Sequence, residues 1–187
     1  MSMKYWQGPE WSAYILEQAA EDTLAKTRQY NADADVWRLL RPIDLAIATV
    51  WGTGAAPANK MYYMTVILPP ATIVAVITFR VPAGIGITFM GVWMSSVMNM
   101  GMGAVYEIDV NTVTRQEIPL RGEKGLVISG DETFWWMRTI VLEQFVFVRQ
   151  NDLVQINLYC KHGFTGQLEF FPIAVIAGNR KQLLVAE

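Results

Sequence analysis

Apolar residues fall in two different rhythms along this chain. From Pro9 to about Tyr30 the rhythm is helical: Trp11, Tyr14 and Ile15 recur with Gln18 and Ala19 on one side, while Glu17, Glu21 and Lys26 fall elsewhere. Pro9 suits a first helical position, where its missing N–H would go unpaired anyway, and Glu10 favours the positive end of the helix dipole. The helix is expected to fade near Tyr30 and Asn31. Asp35 is expected to cap a second short helix running to Arg41, stopped by Pro42. The run Gly52-Thr53-Gly54-Ala55-Ala56-Pro57-Ala58-Asn59 then reads as a linker.

Beyond it the rhythm changes to that of strands. Thr72–Phe79 is β-branched and bounded by Pro69-Pro70 and Pro82-Ala83-Gly84, and Ile85–Trp93 alternates large with small residues. Leu153–Tyr159 alternates most clearly, predicting Val154, Ile156 and Leu158 inward and Gln155, Asn157 and Tyr159 outward. Phe145–Val148 is apolar on both faces, as expected of a central strand. Gln167–Phe170 and Ile173–Ile176 read as two strands separated by Pro172, which marks an edge or a bulge. Short strands without crossover helices predict an antiparallel β-sandwich or barrel. The expected organisation is a helical arm and linker over 1–59 and a β-domain over 60–187.

Charge adds a competing picture. Residues 61–79 and 81–106 carry no charged side chain, and either length would span a bilayer as a helix, which needs about 20 apolar residues. Pro69-Pro70, the β-branched content and the short Arg80-Val81-Pro82 connection favour strands, leaving a membrane subunit as the alternative. The chain of 187 residues has 15 Lys plus Arg against 17 Asp plus Glu, so no basic excess points to nucleic acid. Residues 1–7 hold no apolar segment of the signal-peptide kind, and synthesis in the cytoplasm is expected.

Chemistry-bearing residues are sparse. One Cys and one His exclude the usual zinc sites and an internal disulfide. Cys160 and His162 lie two apart after the clearest strand; a buried Cys and an exposed turn His are expected rather than a catalytic pair. Asp131-Glu132 follows turn residues, and Glu107 with Asp109 is expected on a wet strand face. Gly84-Ile85-Gly86 lacks the third glycine and following helix of a dinucleotide loop. Metal-holding cupin barrels need a His cluster that this chain cannot supply. No catalytic residue, cofactor or metal is therefore assigned.

Aromatic residues suggest contacts instead. Trp135-Trp136 lies beside Phe134 and Met137, and adjacent strand residues face opposite ways, so one Trp can anchor a partner. Trp6, Trp11, Tyr14 and Ile15 give the arm an apolar stripe, which must be buried on its own β-domain or on another subunit. The linker favours another subunit. Trp6, Trp11, Tyr14, Ile15, Trp135 and Trp136 are the candidate interface. An exposed Trp also leaves a sugar-binding β-sandwich as a weaker alternative.

The segment Phe79-Arg80-Val81-Pro82-Ala83-Gly84, followed by Ile87–Val92, resembles small jelly-roll structural proteins of bacterial viruses, in which a strand ending in Val-Pro-Ala-Gly precedes an apolar-x-x-Gly strand. Arg149-Gln150-Asn151-Asp152 leading into an alternating strand extends the likeness, which covers roughly Ile73 to Ile176. The helical extension and the Met98–Gly103 stretch depart from the pattern. The resemblance implies a mainly β fold, an antiparallel β-sandwich of jelly-roll type with an N-terminal helical extension. It implies a non-enzymatic virion component (capsid, decoration, vertex or neck) that assembles with copies of itself and other virion proteins.

Overall fold

The computed structural model describes residues 9–41, 44, 49–50, 62–96, 104–120 and 136–184. They form a mainly β protein with two antiparallel sheets and two helices: α1 (Pro9–Arg28), β1 (Val36–Leu39), β2 (Thr49–Val50), β3 (Tyr62–Leu68), β4 (Thr72–Arg80), β5 (Gly86–Ser96), β6 (Ala104–Val110), β7 (Val113–Leu120), β8 (Trp136–Val148), β9 (Leu153–Cys160), β10 (Phe164–Gly178) and α2 (Arg180–Leu184). The linker expected at 52–59, Met98–Gly103, Asp131-Glu132, Trp6 and Trp135 lie outside the described residues.

The strands pair in a nested series. β6 pairs with β7, β5 with β8, β4 with β9 and β3 with β10, as though one long hairpin had been folded over. Two further pairings, β10 with β5 and β9 with β6, join these hairpins into sheets. One sheet runs β10–β5–β8 with β1 and β3 both on the far edge of β10; the other runs β2–β4–β9–β6–β7. Side chains from both sheets meet in one buried cluster. Val76, Ile77, Phe79, Ile108, Val154, Ile156 and Leu158 come from one side, and Ile87, Phe89, Val92, Val146, Val148 and Ile176 from the other.

Several expectations hold. α1 begins at Pro9 and ends at Arg28; β4, β5 and β9 lie where their patterns put them; and Val154, Ile156 and Leu158 are fully buried. Gly84 has a φ of 77°, the left-handed turn conformation that favours glycine, and a strand rather than a helix follows it. The apolar stretch from residue 62 onward forms β3, β4, β5 and part of β6. Among the described residues no helix is long and apolar enough to cross a membrane.

Others require correction. The helix expected over Asp35–Arg41 is strand β1, hydrogen-bonded to β10 from Val36↔Gly178 to Leu39↔Val175. Asp35 does cap a helix, but a distant one: its Oδ1 accepts the N–H of Arg180, the first residue of α2, at 2.9 Å. β1 and β2, both before residue 60, hydrogen-bond to β10 and β4. Phe145–Val148 belongs to β8, which ends its sheet's order rather than sitting centrally. Its second apolar face is explained by α1, whose Lys26 Nζ lies 5.4 Å from the centre of the Phe147 ring. The two strands expected around Pro172 are one, β10, and the register shift beside Ile173 and Ala174 comes from an extra residue, Met90, in the facing strand β5. Pro172, with no N–H to donate, falls between the stretches of β10 that pair with β3 and β1.

Asn157 is not solvated as the alternation predicts; it is 6% exposed. Its amide donates to Asp109 Oδ2 at 2.8 Å, and β4 and β6 flank it through Ala75 and Glu107. On this central strand of five only the middle of the outer row is closed over: Asn157 is buried, while Gln155 and Tyr159 on either side stay part-exposed.

Candidate functional site

Helix α1 settles where part of the arm's apolar stripe goes. Ala19 and Ala20 are buried against Met90 of β5 and Val175 of β10, with Ile15, Leu16 and Ile173 packed at the edge. Further along, Thr23 and Thr27 are fully buried, and Thr23 Oγ1 lies 2.6 Å from Thr88 Oγ1. Gly86 makes the close approach possible. A methyl there would overlap Thr27 Oγ1, the Tyr30 hydroxyl and the Phe147 ring. The helix therefore lies on its own sheet rather than projecting as a free arm.

Of the six candidate interface residues, the structure describes two in full. Tyr14 is 58% exposed and its hydroxyl accepts a hydrogen bond from Gln18 Nε2 at 2.6 Å. Ile15 is half-buried against its own sheet. Trp11 and Trp136 lie in α1 and β8 with side chains outside the described residues, as Trp6 and Trp135 are altogether.

An exposed apolar pair outside those six candidates is on β1. Val36 packs against the main core, so Trp37 and Leu39 face the other way, where they remain 37% and 47% exposed. They stand opposite Ala177 and Val175 in register, on the side of the sheet that carries α1. The alternation that marks them was present in Val36-Trp37-Arg38-Leu39, but four residues after a capping Asp read equally well as a helical turn.

This short strand is held firmly. Arg38 Nη1 and Nη2 donate to Asp44 Oδ2 and Oδ1 at 2.5 and 2.6 Å, a two-pronged pair with Asp44 only 7% exposed. The same guanidinium donates to the Leu183 carbonyl at 3.2 and 3.1 Å, and Asp44 Oδ2 also accepts the Arg41 N–H at 2.7 Å. One residue thus ties β1 to α2 and to the following turn. Trp37 and Leu39 are presented from an immobilised backbone, so little ordering entropy opposes contact there.

The second sheet has a different outer face. Glu107 and Glu117 stand directly opposite each other on β6 and β7, with Asp109 two residues along. Burial, then Asp109, pushes the Glu107 carboxyl above its usual range, against the stabilising Asn157 hydrogen bond; Glu117 adds to the rise. Among the described residues no group of three acids, His or Cys is arranged to hold a metal. Cys160 is buried with its thiol donating to the Gly163 carbonyl at 3.2 Å, while His162 is exposed in the β9–β10 turn.

No protein-family model matches the chain, and no curated protein matches it. Among solved structures it is similar to dimeric latent PorU from Porphyromonas gingivalis, with a TM-score of 0.40 and 12% identity over 81% of this chain and 13% of that one. It is also similar to the T=1 particles derived from infectious bursal virus, with a TM-score of 0.37 and 8% identity over 79% of this chain and 33% of that one. In both cases this chain spans well under two thirds of the other's length.

Proposed function

We propose that this protein is a non-enzymatic structural component of a viral particle, a jelly-roll β-sandwich that assembles through subunit contacts. The observation that carries the reading is the nested pairing of β3 with β10, β4 with β9, β5 with β8 and β6 with β7. Eight strands nested this way over two sheets support the jelly-roll reading, an architecture used by viral capsid domains, lectins and cupins. Of these uses, the metal-dependent cupin kind asks for clustered histidines, and the sole His of this chain stands in an exposed turn. An interior filled by Val, Ile, Leu and Phe supports a structural role. So does the exposed Trp37–Leu39 pair, on a strand pinned by Arg38.

In this reading Trp37 and Leu39 form the centre of a contact with another copy or with a second virion protein. Trp is the side chain most often found at the energetic centre of such contacts. The particle would belong to a bacterial virus, with the chain made in the host cytoplasm and no direct contact to nucleic acid. Gradient-purified particles, washed with mild detergent and analysed by mass spectrometry, test the proposal. The chain should remain in the particle fraction after the wash. Its release by detergent into a lipid fraction would favour the membrane-subunit alternative instead.

A further inference from the structure

We propose that the groove between the end of α1 and the neighbouring edges of β7 and β8 is a docking site for an acidic peptide segment of a partner protein. The groove is open to solvent and offers about 660 Å³ of space beside the last turn of α1, the β6–β7 turn and the β8–β9 turn. Its charged lining consists of Lys26, Arg115 and Arg149 against one carboxylate, Asp152, in a chain whose net charge is −2. A local excess of cations on an acidic protein is a directional feature, suited to an anionic partner.

The charges are not equally available. Asp152 is committed to the turns: Oδ1 accepts the Asn111 amide at 2.8 Å and Oδ2 the Arg149 N–H at 3.0 Å. Lys26 is paired with Asp22 at 2.6 Å and sits in the last helical turn, where a cation offsets the negative helix end. Arg115 and Arg149 are exposed, and among the described residues no hydrogen bond or ion pair engages either guanidinium. These two forks carry the inference, because each can grip a carboxylate through two parallel hydrogen bonds.

The rest of the lining selects a peptide over other anions. The volume exceeds what a single phosphate fills. Gln29, Gln116 and Gln144 supply amides that can pair with peptide groups, and Phe145, 37% exposed, offers an apolar ring beside the charges. A nucleic-acid strand fits less well: only three cations line the groove, and one of them, Lys26, is already paired with Asp22.

The inference stands apart from the Trp37 contact and is read on the isolated chain. The probe is a fluorescein-labelled peptide of four glutamates around one phenylalanine, with a glutamine-for-glutamate counterpart, followed by fluorescence anisotropy at low and high salt. Saturable binding of the acidic peptide is expected, weakened at least tenfold in Arg115→Gln/Arg149→Gln, weakened by salt and absent for the neutral peptide. Both arginines are exposed, so far-UV circular dichroism of the double variant should match wild type. No binding, equal binding of both peptides, or full binding by the double variant overturns the proposal. Displacement of the peptide by inorganic phosphate or by oligouridylate at lower concentration than the unlabelled peptide also overturns it, in favour of a small anion or an RNA.

Discussion

Thr23 of α1 and Thr88 of β5 place their hydroxyl oxygens 2.6 Å apart, both buried, in the seam between the helix and the sheet beneath it. Around this contact Thr27 donates to the Thr23 carbonyl at 2.7 Å and the Tyr30 hydroxyl donates to the Ile85 carbonyl at 3.1 Å. A seam made of short polar side chains fixes one position of the helix, because each buried hydroxyl needs its particular partner.

Thr23→Val keeps the shape of the side chain and leaves the Thr88 hydroxyl without this partner. The loss should be about 1–3 kcal/mol, the cost of stranding a buried polar group. Chemical denaturation followed by circular dichroism measures it. A loss below about 0.5 kcal/mol would mean that α1 is loosely held.

Gly86→Ala tests the same seam by crowding. The added methyl meets Thr27, Tyr30 and Phe147 together, so the helix must lift. A destabilisation of about 1–3 kcal/mol is expected, typical of overpacking. Gly178, whose added methyl would meet only ordinary contacts, serves as the control.

The outer face of the second sheet makes a prediction about pH. The folded protein holds the Glu107 proton more tightly than the unfolded chain does. The contribution of that group is therefore fully favourable below the unfolded carboxyl pKa and is lost as pH rises through the raised folded value. Glu107→Gln should raise the melting midpoint at pH 7, by the equivalent of about 0.2–1 kcal/mol for relieving a like-charge cross-strand pair. The gain should vanish near pH 4. Asn157→Asp, which removes the amide donor to Asp109 and adds a fourth carboxylate to Glu107, Asp109 and Glu117, should do the reverse and recover on acidification. Thermal melts of both variants across pH 4–8 would show it (a window set by ordinary carboxylate titration).

Arg38 should be more costly to replace than a surface arginine. Arg38→Met leaves the buried Asp44 carboxylate unpaired, with an expected loss of roughly 3 kcal/mol. Arg38→Lys should recover only part of it, because an ammonium cannot reproduce the two-pronged geometry. Equilibrium unfolding of the two variants gives the comparison.

The sequence revealed those parts of the fold governed by local pattern. Pro9 marked the start of α1, the alternation of Val154, Ile156 and Leu158 marked an inward face, and Pro82–Gly84 marked a turn. What it concealed depends on partners distant in the chain. Asp35 carries helix-capping chemistry, but the helix it caps begins 145 residues later. Asn157 looks like an outward polar residue until β4 and β6 close around it. Phe145 and Phe147 gave their strand two apolar faces, yet a helix rather than a second sheet accounts for the outer one. The candidate anchor fared similarly: Trp37 and Leu39 become visible only once β1 is known to be a strand and Val36 is known to face the core. The arm was legible as a helix with something to bury, yet Tyr14 of its apolar stripe stays 58% exposed, and it is Ala19, Ala20, Thr23 and Thr27 that meet the sheet, at Gly86 and Thr88.

The assembly proposed above, through the face bearing Trp37 and Leu39, is read from the oligomeric state. Sedimentation velocity of the full chain over a range of concentrations, for wild type and for Trp37→Ser/Leu39→Ser, tests it most directly. Wild type should sediment as an oligomer whose population grows with concentration, and the double variant as a folded monomer. A wild-type chain that stays monomeric at every concentration, or a double variant that assembles like wild type, would contradict it.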